Sequence, residues 1–283
     1  KELAFIEGRN RLMVMNLATK KVRQVTDGST WYNTAGGFDY KWSPDNKWFA
    51  IEFIGNRHDP YSDIGLVSAQ GGEITNLTNS GYASGSPRWA LDGNAILFST
   101  ERYGMRNHAS WGSLNDVMLV FLNQDAYDKF SLSKEDYDLQ KELEKEQDKA
   151  KKKDEAKNAK KEDNKKDDKA KDEKKDVKAK EIIVELKNIE DRIVRLTPNS
   201  SKLGDAIITK NGETLYYFSA FEKGFDLWKM DLRKKDTRLV NKMNAGWVGM
   251  EMDKDGKNIF LLGNSMQKMD ANSGALKAIS YRT

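Results

Sequence analysis

Two histidines, His58 and His108, and no cysteine bound the chemistry open to this chain of 283 residues. Imidazole is the side chain that moves protons most readily near neutral pH. Neither histidine has an acidic or imidazole neighbour at metal-ligand spacing. Without thiols there is no thiolate nucleophile, disulfide framework or Cys-based zinc site. Ser84, in Gly81-Tyr82-Ala83-Ser84-Gly85, misses the Gly-x-Ser-x-Gly elbow by one residue. Gly36-Gly37 and Gly71-Gly72 are turn glycines, not a phosphate-binding loop. No catalytic residue, metal ligand or cofactor is therefore assigned. What remains is recognition chemistry. Trp31 and Tyr32 stand together, as do Arg57, His58 and Tyr61, and then Arg102, Arg106, His108 and Trp111. Arginine and aromatic side chains dominate interface energetics. Two readings stay open: these groups contact a partner, or Trp31 and Trp111 plug gaps while the arginines are solvated.

The elements that must position them come from a repeat. WSPDNKWFAIEF (42–53), WALDGNAILFST (89–100), ITKNGETLYYFSA (208–220) and MDKDGKNIFLLG (252–263) each place an Asp-Asn, Asp-Gly or Asn-Gly pair between two β-prone runs. Such pairs tolerate the positive φ that a type I′ hairpin turn needs at both central residues. A second strand–turn–strand pattern follows each hairpin, at 12–26 for the first unit and then at 64–78, 182–197 and 227–240, with a weaker copy at 269–279. The unit is four antiparallel strands, a to d, repeating every 40 to 50 residues, which is the signature of an all-β propeller. The expected blades run about 3–26, 36–78, 84–197, 202–240 and 245–280. The first lacks strand a, so further chain or further blades are expected beyond this stretch. Asp63, Asp116 and Asp226 recur just before strand c, where an aspartate is expected to cap the b–c connection.

The third blade carries an insertion at 123–180. Residues 141–180 hold 17 lysines and 13 acidic residues, and the rest of the chain carries 31 of each sign. A balanced fold without a basic cluster removes the case for nucleic acid as partner. No run approaches the length of a bilayer span, so no membrane insertion is expected. Ser133-x-x-Asp136 starts a helix with Tyr137, Leu139 and Leu143 as its apolar positions. The remainder reads as disordered or as a solvated helix laced with ion pairs.

Trp-Ser-Pro-Asp-Asn (42–46), Trp-Ala-Leu-Asp-Gly (89–93) and the Leu-Thr strand ends at 77–78 and 196–197 resemble TolB-type propeller repeats. The block RYGMRNHASWGS, DVMLVFLNQDAYDKFSLSKED, the charged tract and IEDRIVRLTPN resembles bacterial tricorn-like serine peptidases. The resemblance implies a non-catalytic propeller region that admits or positions peptide or unfolded protein substrates and packs with downstream PDZ and protease modules of one parent chain. The family's catalytic residues lie beyond residue 283. It also implies a periplasmic or secreted parent, with cytoplasm as the alternative, and leaves homo-oligomers open. A TolB-type interaction scaffold and the gate of a prolyl-oligopeptidase relative are the competing readings. Because antiparallel strands reverse direction, a–b and c–d turns share one face, and b–c and d–a loops share the other. All nine recognition residues fall on the second face.

Overall fold

The computed structural model describes residues 1–32, 36–55, 59–106, 112–162 and 181–280, with side chains of the long helix described through its first half. The chain is a β-propeller region of five antiparallel sheets, each in simple chain order. Blade 1 has three strands, β1 (Glu2–Glu7), β2 (Arg11–Asn16) and β3 (Val22–Gln24). Blade 2 is β4 (Tyr40–Trp42), β5 (Trp48–Phe53), β6 (Asp63–Ser68) and β7 (Thr75–Asn76). Blade 3 is β8 (Ser84–Ala90), β9 (Ala95–Thr100), β10 (Asp116–Phe121) and β11 (Ile193–Arg195). Blade 4 is β12 (Lys202–Ile208), β13 (Thr214–Ala220), β14 (Phe225–Asp231) and β15 (Asp236–Ala245). Blade 5 is β16 (Gly249–Met252), β17 (Asn258–Leu262), β18 (Gln267–Asp270) and β19 (Leu276–Ala278).

The b strands explain why the sheets stack. Along β9, Ala95 and Leu97 pack toward blade 4, and Ile96 and Phe98 pack toward blade 2. Along β13, Leu215 and Tyr217 face blade 3, and Tyr216 and Phe218 face blade 5. Side chains alternate across a strand, so a strand apolar at every position serves two interfaces at once. Each Leu, Ile or Phe among them contributes about 1.5–3 kcal/mol on burial. The a strands of neighbouring blades touch, β4 with β8 and β12 with β16, and so border the axis. There Arg88 of β8 reaches Asp205 of β12 at 3.4 Å and Glu251 of β16 at 3.3 Å. Burial pushes the Asp205 carboxyl up, while Arg88 and the Met250 N–H oppose it.

The a–b turns differ from the type I′ expectation. In blades 2, 4 and 5 the N–H of Asn46, Gly212 or Gly256 donates to the carbonyl of Ser43, Thr209 or Asp253 at 2.8–3.0 Å. Each of these turns carries one residue at positive φ (59°, 71° and 72°), so it is a type I turn closed by one left-handed residue. The cause is the first residue's side chain. Ser43 Oγ accepts from Lys47 and Trp48, Thr209 Oγ1 from Thr214, and Asp253 Oδ1 from Lys257 and Asn258. In blade 3 that position is Ala90, which has no such oxygen. There Leu91, Asp92 and Gly93 all take positive φ, at 52°, 53° and 93°.

The insertion forms two helices, α1 (Gln124–Ser131) and α2 (Lys134–Glu162). The expected start of α2 is present: Ser133 Oγ accepts from the Asp136 N–H at 3.1 Å and donates to its carboxylate at 2.8 Å. Of the three apolar positions only Tyr137 is buried, while Leu139 and Leu143 are exposed. Residues 163–180 lie outside the described stretch. Two further expectations are corrected. Ile182–Leu186 is not a strand but an extended strap, since its one ladder-type bond is Glu185 N–H to Leu122 O. Strand d of blade 4 runs past 240 to Ala245, because Asp226 accepts from the Met243 and Asn244 N–H groups and holds that end down.

Candidate recognition face

The recurrent aspartates clasp strand c to the exit of strand d, not to the b–c connection. Buried Asp63 accepts from Thr78 Oγ1 at 2.7 Å, Asn76 Nδ2 at 2.9 Å and the Ser80 N–H at 3.3 Å. Asp116, fully buried, accepts from Thr197 Oγ1 at 2.7 Å and Ser200 Oγ at 2.6 Å, and from Arg195 at 2.9–3.0 Å. The threonines of the Leu-Thr ends are the other half of the device. Thr26, Thr78 and Thr197 accept from the N–H of Leu12, Ile64 and Val117. A carboxylate with two or more donors is a structural tie, and it fixes where each d–a loop leaves its blade.

Those loops and the b–c loops carry the recognition residues. Trp31 and Tyr32, both half-buried, stack edge to face at 5.7 Å, and Trp31 also lies 5.7 Å from Phe38. Phe38 continues through Tyr40 to Phe49 in the core between blades 1 and 2. Trp31 is therefore the outer end of an aromatic wedge, which favours the gap-plugging reading for it. The Tyr32 hydroxyl donates to the Asp59 carboxylate and ties a d–a segment to a b–c loop. Burial and the adjacent Asp59 push the Tyr32 phenol up to about 12. Tyr61 is half-buried in the same b–c loop. Arg102 lies 5.5 Å from the Tyr103 ring, and Arg106 lies 4.6 Å above Tyr82, bridging the blade 3 loop to the segment entering that blade. Arg57, His58, His108 and Trp111 lie outside the described residues.

Sequence reasoning missed four exposed apolar side chains on this face. Tyr103 (48% exposed) and Met105 (72%) belong to the blade 3 b–c loop, Phe221 (50%) to the blade 4 b–c loop, and Trp247 (61%) to the d–a segment entering blade 5. Extending the aromatic-in-loop criterion to SAFEKGFD and NAGWVG finds Phe221 and Trp247. Close packing fixes these loops: a Cβ on Gly104 would sit 2.0 Å from Leu114 O, and one on Gly224 would sit 2.5 Å from the Asn244 carbonyl carbon.

The opposite face is covered by the insertion. Arg233 of the blade 4 c–d turn lies 3.9 Å over Tyr137 and 5.1 Å over Phe130, and it donates to Phe130 O at 2.6 Å. Burial pulls its guanidinium below the usual range. Lys141 pairs with Glu213, and α1 and α2 are joined by Lys129–Glu144 at 2.7 Å. The returning strap bolts to blade 2, with the Ile182 N–H on Asp45 at 3.1 Å and Glu181 on Lys47 at 2.6 Å. A cavity of about 350 Å³ remains between α1 and the turns of blades 3 and 4, lined by Asp92, Lys129, Tyr137 and Arg233 among others. Among the described residues no cluster of three His, Asp or Glu side chains is placed to hold a metal ion. No described helix is long and apolar enough to cross a membrane.

Comparison with known proteins gives the architecture wide precedent. No family model matches the chain. An uncharacterized peptidase, YuxL of Bacillus subtilis, is 36% identical over 59 residues, which are 21% of this chain and 9% of that protein. A putative TolB from Agrobacterium tumefaciens superposes with a TM-score of 0.58 at 14% identity, over 98% of this chain and 76% of that one. Tricorn protease superposes with a TM-score of 0.57 at 10% identity, over 96% of this chain and 24% of that one. The chain thus spans a small part of both peptidases, and its fold is the propeller found in tricorn and TolB structures.

Proposed function

We propose that the chain is the propeller region of a tricorn-like peptidase, and that its b–c/d–a face receives polypeptide substrate and positions it for protease and PDZ modules of the parent. One observation carries this: exposed aromatic, Met and Arg side chains gather on that face, and the insertion occupies the other. Long loops on a rigid scaffold are where recognition resides. The peptidase similarity of YuxL supports the assignment, and a periplasmic or secreted parent belongs to the same proposal. The test is peptide turnover by the parent protein carrying Tyr82→Ala and Arg106→Ala. A fall in kcat/KM of about tenfold or more, with unchanged thermal unfolding, is expected; unchanged turnover overturns the face assignment. A TolB-type scaffold is the second reading, favoured by the larger share of the TolB chain that is matched. A parent without any peptidase turnover would overturn the first reading.

A further inference from the structure

The face is not uniform. Its blade 1–2 half is net acidic, with exposed Asp27, Asp39 and Asp59 beside one exposed Arg9 and a Glu7–Arg11 pair at 3.3 Å. Its blade 3–5 half carries Tyr103, Met105, Phe221 and Trp247 interleaved with four exposed cations, Arg102, Arg106, Lys202 and Lys223, against one exposed carboxylate, Glu222. The backbone joins this second half into one strip. Asn115 bridges Ser201, Lys202 pairs with Ala220 beside Phe221, and Phe225 pairs with Ala245 two residues before Trp247. None of the four cations makes an ion pair among the described residues. Three are set against rings: Arg102 on Tyr103, Arg106 on Tyr82 and Lys202 on Phe225 at 5.4 Å. A ring face orients a cation but leaves its N–H donors free for a carboxylate.

We infer that the blade 3–5 strip of this face binds an extended polypeptide segment bearing both apolar and acidic side chains, an inference that rests on the proposed function and names its substrate class. Apolar side chains would cover Met105, Phe221 and Trp247, and carboxylates would meet the exposed cations between them. An anionic membrane fits less well. A flat surface would press on both halves, and Asp27, Asp39 and Asp59 would repel it, whereas a short chain covers only the complementary strip.

The test is fluorescence anisotropy of the chain with a labelled, end-capped peptide of about twelve residues repeating Phe-Glu-Leu-Asp, against one repeating Phe-Lys-Leu-Lys, and vesicles of phosphatidylserine with phosphatidylcholine. The acidic peptide is expected to bind about tenfold or more tightly than the basic one. Phe221→Ala with Trp247→Ala should weaken it by a similar factor, and Arg102→Glu with Arg106→Glu should reverse the preference. Hydrogen exchange of the unmodified chain should show peptide protection at 102–106, 221–224 and 246–248, a readout independent of whether the variants fold. Equal binding of both peptides, or preference for vesicles, overturns the inference. So does a loss on Tyr32→Ala with Tyr61→Ala in place of the strip variants, which would keep the face and discard the strip. If no peptide binds, the proposed function falls with it.

Discussion

The two faces of the propeller are built from the same strands, yet they are finished in opposite ways. On the a–b/c–d face the a–b turns of blades 2, 4 and 5 are short and closed by their own side-chain oxygens, and an insertion that touches blades 2, 3 and 4 straps the face. On the b–c/d–a face the loops are longer, anchored from beneath by buried aspartates, and leave large apolar groups in solvent. Rigidity is supplied below the loops and chemistry above them, a division that lets one face vary its side chains without loosening the blades.

The contrast breaks first at Asp116. Asp116→Ala leaves Arg195, Thr197 and Ser200 without their shared acceptor, and urea unfolding should register a loss of about 3–5 kcal/mol. Arg233→Ala should act on the opposite face, releasing α1 and α2 from blade 4. About 1–3 kcal/mol of stability and early proteolysis within 124–150 are expected, without the loss of d–a loop order that Asp116→Ala brings.

A pH effect sharpens the boundary between blades 2 and 3. Burial raises Glu52 to about 6, with Asp39 adding to the shift and Ser62 opposing it. Ser62 Oγ lies 2.9 Å from both Glu52 Oε1 and Ser84 O but has one proton, so a protonated Glu52 satisfies both acceptors. A carboxyl that binds its proton more tightly when folded contributes most at low pH. Stability should therefore fall by about 2 kcal/mol as pH rises from about 4.5 to above 6. Glu52→Gln should flatten that portion of the profile in thermal melts. The smallest effect is expected from replacing 151–180 with a short Gly/Ser linker, which spares Tyr137, Lys141 and Glu181 and should cost under about 0.5 kcal/mol. A larger loss would show that the tract itself packs on a blade.

The fold was legible because each b strand is apolar at consecutive positions between turn pairs, a pattern that only burial on both faces satisfies. The turn class was not, because Asn-Gly and Asp-Gly report tolerance of positive φ and not how many residues use it. The side chain of Ser43, Thr209 or Asp253 decides that. Helix α1 was read as part of the charged insertion, although Asn123 caps it by accepting from the Ala126 N–H, and Tyr127 and Phe130 stack on Phe121. The clasp aspartates were recognised as structural but assigned the wrong partners, since the threonines that donate to Asp63 and Asp116 stand 15 and 81 residues away. On the recognition face, Trp31 and Tyr32 and the two histidine loops drew attention, while Phe221 and Trp247, in other loops, did not, and Tyr103 and Met105 were passed over within the His108 loop.

The two-sided sorting of the b strands has a consequence for how the molecule opens. Where each unit is held only by its neighbours, stability becomes a one-dimensional sum of unit and junction terms. Blades 2, 3 and 4 each share two apolar junctions within the chain, and blades 1 and 5 share one. Native-state amide exchange of residues 1–283 taken alone should therefore form a gradient, slowest in β9 and β13 and faster toward β1 and β19. The loops of blade 3 would sit at the quiet centre of that gradient, so Tyr103, Met105 and Arg106 are presented from the part of this stretch that breathes least.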